Sequence, residues 1–302
     1  MSISLDNQQK YSVSDRIWAY LQIMRPANIV TAWADIFTGF AVTSLDNPLP
    51  LAWLLLATTG LYGGGVVFND VFDAELDAQE RPERPIPTGR ASRQGATILG
   101  SILLLVGVIA AYQVSLFSAV IAASIALSAL IYDAWNKHHP ILGPLNMGCC
   151  RGGNLLLGIS AIPVLVGECW FLALIPIFYI AAITAISRGE VHGGKSSTGI
   201  VALLLLASVL AGLLGLGLLP NYLIFAALPF LLLFAARVLP PFIKATYEPS
   251  ANNIRMAVKT GVLSLILLDA TVAAGFAGWL YGLLVLGLLL VSMGLAKLFA
   301  VT

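Results

Sequence analysis

The sequence predicts an all-α fold, a polytopic membrane bundle of nine or ten transmembrane helices, and three observations carry that expectation. Hydrophobic residues make up 59% of the 302-residue chain and Asp, Glu, Lys and Arg only 10%, against roughly 25% charged residues in soluble domains. So little charge cannot cover a water-facing surface. Apolar stretches of about 20 residues, the length that crosses a bilayer, recur along the chain. Lys and Arg cluster in alternate connections between those stretches, the pattern of cytoplasmic loops. The formal net charge of +1 gives no reason to expect nucleic acid, so the lipid bilayer is the first partner. Residues 1–302 read as one transmembrane domain.

The elements follow in order. Residues 1–25 form a cytoplasmic or interfacial segment, polar and then amphipathic. Ser14 can cap a short helix with Ile17, Trp18, Leu21 and Met24 on one face, which suits the membrane interface. No apolar core follows a short basic head, so a cleaved signal peptide is not expected. Spans are expected near 26–45, 49–69, 94–113, 115–134, 141–165, 169–187, 199–219, 221–242, 256–276 and 279–300. Pro140 and Gly143 make the start of the fifth tilted or irregular. Gly63, Gly64 and Gly65 suit close helix packing rather than a nucleotide loop, since no Lys-Ser or Lys-Thr follows them. Cys149, Cys150 and Cys169 lack metal-ligand spacing and read as buried thiols.

Direction comes from the basic residues. Lys10, Arg16 and Arg25 precede the first span; Arg81, Arg84, Arg90 and Arg93 follow the second; Lys137 follows the fourth. Arg188 and Lys195 follow the sixth, Arg237, Lys244, Arg255 and Lys259 flank the eighth connection, and Lys297 ends the tenth span. The opposite connections hold no Lys or Arg. Both termini are therefore expected in the cytoplasm, a parity that ten spans satisfy and nine do not. Arg151 alone lies inside a span.

Where the second span should end, Asn69-Asp70 leads to Asp73, Glu75 and Asp77, then Glu80, Arg81, Glu83 and Arg84. Asn69, Asp73 and Asp77 recur every fourth residue, so a continuing helix would stack them, with Asp70 bordering the same face. Stacked carboxylates repel unless something neutralises them. One reading is a solvated acidic face balanced by Arg81 and Arg84. The favoured reading is a Mg2+ and diphosphate site, because hard oxygen ligands from carboxylates are what Mg2+ takes beside phosphates.

The segment NDVFDAELDAQERPERPIPTGRAS resembles the first aspartate-rich motif of the UbiA superfamily of intramembrane prenyltransferases, NDxxDxxxD followed by R-P-I-x-x-G. Arg25-Pro26, and Tyr132, Lys137 and Leu142-Gly143 after the fourth span, are similar to that family too, over about residues 20–275. MRPANIVTAWADIFTGFAV and the CRGGN segment look most like its EboC-like branch. The resemblance implies a helical bundle around a central cavity that opens laterally to lipid. It implies transfer of an isoprenyl group from an isoprenyl diphosphate to a lipophilic acceptor, aromatic or hydroxyl, with Mg2+ as cofactor. Asn69, Asp70, Asp73 and Asp77 would hold metal and diphosphate, the three aspartates as the catalytic set, while Arg81, Arg84 and Lys137 neutralise phosphate. A bacterial inner membrane or a plastid-type membrane would fit.

The family's second motif, DxxxD leading into Gly and Lys-Ser, should follow the sixth span. Here that place reads Ser187-Arg188-Gly189-Glu190, then His192 and Gly194-Lys195-Ser196, with Glu190 the only acid. Glu190 is the remaining candidate for a second metal ligand, and Arg188 and Lys195 are expected to bind phosphate in place of a second ion. An ordinary basic loop is the alternative.

Polar residues inside spans complete the candidates. Asp35 and Asp269 sit ten residues beyond Arg25 and Lys259, or ~15 Å into the bilayer at 1.5 Å per residue. They are expected to share a proton or line the acceptor pocket, with Asn28 on the face of Asp35; the alternative is a neutral carboxyl bonded to a neighbouring helix. Asn146, Cys150 and Asn154 form a stripe with Arg151 beside it; Arg151 and Asn154 are candidate substrate contacts, with carboxylate pairing open for Arg151. Asp133 and Asn136 have the same ambiguity. Two other functions stand beside prenyl transfer. One is a catalytically reduced relative that binds or moves a prenylated or aromatic molecule; the other, a proton-coupled transporter, leaves the acidic and basic cluster at 69–84 unexplained.

Overall fold

The structure, a computed structural model, describes residues 11–137, 139–190 and 193–299; Lys10 and His192 lie outside them. Helix α1 (Val13–Met24) starts one turn earlier than the Ser14 cap predicts. Its cap is Ser12, whose hydroxyl accepts the Asp15 amide at 3.1 Å while the Asp15 carboxylate accepts the Ser12 amide. Those bonds hold the exposed Asp15 carboxyl below its usual range. Val13, Ile17, Trp18 and Leu21 remain exposed along α1, as an interfacial helix requires.

The bundle continues with α2 (Pro26–Thr43), α3 (Leu49–Phe72), the short α4 (Ala74–Glu80), α5 (Arg93–Tyr112) and α6 (Leu116–Ile131), which ends in a π-helical turn, Tyr132–Asn136. Then come α7 (Leu142–Ile159), α8 (Pro163–Cys169), α9 (Leu174–Ser187), α10 (Ser196–Gly215), α11 (Ile224–Tyr247), α12 (Ala251–Ala277) and α13 (Trp279–Leu298). Eight stretches are long and apolar enough to cross a membrane: α3, α5, α6 with its π turn, α8 through α9, α10, α11, α12 and α13. The chain is thus a polytopic membrane protein. The other two predicted spans are α2 and α7, each 18 residues long and more polar. They tolerate Asn28, Thr31, Asp35, Arg151 and Asn154 because these side chains are buried inside the protein.

Two boundaries differ from expectation. The fifth span ends at Ile159 rather than near 165, because Pro163 begins a new helix at its N1 position, where the missing N–H costs nothing. The sixth is two helices, α8 and α9, joined by a 3-10 turn at Trp170–Ala173. The thiols also differ: Cys149 is exposed and Cys150 and Cys169 are only partly buried.

Helix α12 is the most buried of the apolar helices and packs against α2, α9, α11 and α13. One core joins α7 and α9 to α12; a second joins α2, α3, α5, α6 and α7. Helix α13 lies across α2 and α12, where Ala34, Ala41, Ala270 and Ala273 let the backbones approach. The closest crossing is α2 on α7, where a Cβ on Gly39 would lie 2.2 Å from the Leu155 carbonyl oxygen. Trp18 of α1 stacks on Phe299 just beyond α13, ring centroids 4.6 Å apart, so both ends of the described chain meet on one face of the bundle.

Candidate active site

The acidic motif sits where α3 gives way to α4, and Asp73 lies at the junction. The structure divides the motif in two. Asn69 and Asp73, one turn apart, face α6: the Asn69 amide nitrogen donates to Asp133 at 2.9 Å and to Asp73 at 3.3 Å, and Lys137 donates to Asp73. Asp70 and Asp77 face the other way. Arg84 donates to Asp77 at 2.7 Å and reaches Asp70 at 3.4 Å, and Arg25 donates to Asp70 at 2.7 Å. Asp77 therefore does not join the Asn69–Asp73 face as predicted. Helical drift explains it, since seven residues from Asp70 complete nearly two turns, whereas eight from Asn69 overshoot by ~80° at 3.6 residues per turn.

Asp133 is the residue that sequence reasoning left unassigned. The π turn Tyr132–Asn136, closed by the Lys137 amide on the Tyr132 carbonyl at 2.9 Å, turns both Asp133 and Lys137 toward α3. Single-turn π segments often re-aim side chains at functional sites. The four-residue step from Asp133 to Lys137 is the only sequence signal of the pair.

The connection from α4 to α5 forms the other wall. Thr88 bonds back to the Arg84 and Pro85 carbonyls, and Gly89 takes φ +77, a turn that glycine adopts without strain. Tyr11 and Tyr20 tie this loop to α1 through Thr88 and Ser92. Arg25 links α1 to α2 with φ 50, a left-handed conformation rare for a side chain of its size. That turn delivers its guanidinium to Asp70.

Deeper in the bundle the polar residues of α2, α7 and α12 meet. Arg151 Nε lies 2.7 Å from Asp35 Oδ2, and its other nitrogens donate to the Thr31 hydroxyl and carbonyl. Asn154 donates to Asp35 at 2.8 Å and to the Ala32 carbonyl at 2.9 Å, and accepts from Thr58 at 2.7 Å. The carboxyls of Asp35 and Asp269 hydrogen-bond to each other, and Asn28 bonds Tyr62 of α3. Arg151 thus neutralises Asp35 and does not reach the acidic motif.

The remaining candidates lie on the same face as the motif but outside its cluster. Arg188 donates to the His139 carbonyl at 2.6 Å. Lys195 is exposed at the start of α10. Burial pushes the Glu190 carboxyl up from its usual range, and the charges of Arg81 and then Arg255 oppose the shift. Arg255 also donates to the Glu190 carbonyl at 3.0 Å. Glu190 is therefore held by arginines rather than gathered with Asn69 and Asp73. Among the described residues no group of three or more His, Cys, Asp or Glu stands ready to hold a metal. The Asn69, Asp73 and Asp133 trio nonetheless fits Mg2+ in kind, with two carboxylates and an amide oxygen as hard donors and a cation, Lys137, already attracted to the spot.

Comparison with known proteins agrees with this layout. The profile of the UbiA prenyltransferase family matches residues 27–253. A digeranylgeranylglyceryl phosphate synthase of Methanothrix thermoacetophila is 36% identical over 143 residues, 46% of this chain and 52% of that protein. The chain spans about half the length of that curated relative. A solved digeranylgeranylglyceryl phosphate synthase superposes with a TM-score of 0.66 at 20% identity, covering 87% of this chain and 99% of that one. A UbiA homolog from Archaeoglobus fulgidus bound to GPP and Mg2+ gives 0.54 at 13% identity, covering 89% and 99%. These likenesses support the family and its fold, and not the narrower EboC-like branch.

Proposed function

Because the chain belongs to the UbiA prenyltransferase family, we propose that it transfers an isoprenyl group from an isoprenyl diphosphate to a lipophilic acceptor within the membrane. The observation that carries this reading is the convergence of Asn69, Asp73, Asp133 and Lys137 from α3 and the π turn. Asn69, Asp73 and Asp133 would hold Mg2+, which when bound stabilises the charge that gathers on departing diphosphate. Lys137 adds its own positive charge beside Asp73 and neutralises a phosphate oxygen. The bond from the prenyl carbon to the diphosphate oxygen breaks with its electron pair going to diphosphate. A lone pair or carbon nucleophile of the acceptor forms the new bond and gives up its proton. The apolar interior below keeps water from the electron-deficient carbon.

The name of the Methanothrix relative favours a hydroxyl-bearing glyceryl phosphate lipid as acceptor over an aromatic one. That relative and others are archaeal, so they lend nothing to a bacterial inner or plastid-type membrane. The basic connections support a cytoplasmic mouth. The missing second aspartate pair favours the other reading, a relative that binds a prenyl lipid without ionising it. Asp133 answers part of that deficit by adding a carboxylate beside Asn69.

The test is Mg2+-dependent release of diphosphate from geranylgeranyl diphosphate by the purified protein, with prenylglyceryl phosphate or aromatic acceptors supplied. Turnover in the wild type, and a fall of about a hundredfold in Asp73→Asn and Asp133→Asn, is the expected result. Full activity in Asp73→Asn would sink the metal assignment. Donor binding without turnover on any acceptor would favour the non-catalytic reading.

A further inference from the structure

On the far side of the motif from Asn69 and Asp73 lies a cavity of about 370 Å³, within the size range of small-molecule sites. Gln22, Arg25, Asp70, Arg81, Arg84 and Arg90 line it, with Glu83 at its edge. Four guanidinium groups around one space would repel one another, and the structure balances only two of them. Asp70 and Asp77 neutralise Arg25 and Arg84. Arg90 is held by neutral acceptors, the Gln22 side chain at 3.1 Å, the Thr88 hydroxyl at 3.1 Å and the Glu83 carbonyl at 3.0 Å. Arg81 has Glu190 within electrostatic range, a carboxyl that burial disfavours as an anion. Glu83 is exposed to solvent. The cavity therefore holds fixed positive charge, pre-oriented by the α4–α5 loop and by the strained turn at Arg25.

We propose that this cavity binds the phosphate monoester of the acceptor, separately from the donor's diphosphate. The inference rests on the prenyl-transfer reading only in calling the ligand an acceptor; the recognition of phosphate rests on the arginines. A phosphate monoester carries nearly two negative charges and several acceptor oxygens, which match two under-neutralised guanidiniums in charge and geometry. The floor of the cavity includes Gln22 on α1, whose other face is apolar and exposed. A ligand there sits at headgroup depth, so its phosphate belongs on an amphiphile. Asp70 and Asp77 thereby gain a role distinct from the metal. They position Arg25 and Arg84 on the wall between the two sites.

The experiment measures equilibrium binding to the full chain in phosphatidylcholine nanodiscs. Its probes are geranylgeranylglyceryl phosphate, the same lipid without its phosphate, inorganic phosphate, and geranylgeranyl diphosphate with Mg2+. The phosphate lipid should bind at least about tenfold more tightly than its dephosphorylated form, as a charge-assisted contact provides. Arg81→Gln and Arg90→Gln should each remove most of that difference and leave Mg2+-dependent donor binding unchanged, while Asp73→Asn does the reverse. Arg90 also ties down the loop, so Arg81→Gln with an unchanged melting temperature is the decisive variant. Displacement of the lipid by inorganic phosphate means that the phosphate alone is recognised. Lipid binding that inorganic phosphate leaves intact means that the tail is required as well. Either outcome supports the pocket. Equal affinity for the two lipids, or an equal loss of donor binding in Arg81→Gln, overturns it. Absence of Mg2+-dependent donor binding in the wild type defeats the prenyl-transfer reading instead and leaves the phosphate result intact.

Discussion

Arg151 and Asp35 form the costliest contact in the protein, since both charges are buried among apolar helices. Such a pair contributes little over well-packed apolar residues, but removing one partner strands the other. Arg151→Met should therefore destabilise the protein by about 3–5 kcal/mol, and Arg151→Met with Asp35→Leu should recover most of that loss. Thermal unfolding in detergent or bicelles measures both; a single variant as stable as the wild type would mean that the pair is idle. Asp269 completes the balance, because its hydrogen bond with Asp35 requires one proton between two carboxyls. With that proton and Arg151, the trio carries no net charge. Composition and depth were enough to mark Asp35, Arg151 and Asp269 as misplaced polar residues. Their pairing was not legible, because it depends on how α2 crosses α7 and α12. Asp133 was harder still: an ideal helix would turn it differently, and only the π turn brings it to Asn69.

Individual elements are placed by backbone approach as much as by apolarity. A Cβ on Gly39 would meet the Leu155 carbonyl at 2.2 Å and Gly158 Cα at 2.8 Å, all backbone atoms that cannot rotate aside. Gly39→Ala should force α2 from α7 and destabilise the bundle by about 1–3 kcal/mol, the usual range for overpacking. Gly287→Ala on α13, where an added Cβ meets nothing within 4 Å, is the control and should melt with the wild type. A Gly39→Ala protein with an unchanged melting curve would show that the crossing can relax. Apolar runs read from the sequence found ten helices and missed their ends in a systematic way. Hydropathy reports where the lipid stops, whereas α11 and α12 continue to Tyr247 and from Ala251 through polar residues satisfied by water. Pro163, rather than any change in hydropathy, separates α7 from α8. The same limit governs the acidic motif. Spacing by fours suggested one face, but the helical period carries Asp77 round to Arg84.

For the molecule as a whole, orientation decides which solution reaches the charged mouth. Six of the 15 acids lie between Asp70 and Glu83, and their arginine and lysine partners come from α2, the α4–α5 loop and the π turn. Trp18 stacked on Phe299 ties both ends of the described chain to that same face. Ten crossings permit this and an odd number does not. Lys and Arg are retained on the cytoplasmic side during insertion, so the mouth, α1 and the end of α13 should all face the cytoplasm, where a water-soluble diphosphate head can enter. Single cysteines in a background lacking Cys149, Cys150 and Cys169 test this in intact cells with a membrane-impermeant maleimide. Ser14→Cys and Glu248→Cys, both at exposed positions, should label only after permeabilisation, and Asn47→Cys and Asn221→Cys, exposed at the opposite connections, should label before it. Reversal of all four would turn the mouth outward and remove cytoplasmic diphosphate as its substrate. Labelling of Ser14→Cys and Glu248→Cys from opposite sides would break the even parity itself, and with it the placement of α2 and α7 as full crossings.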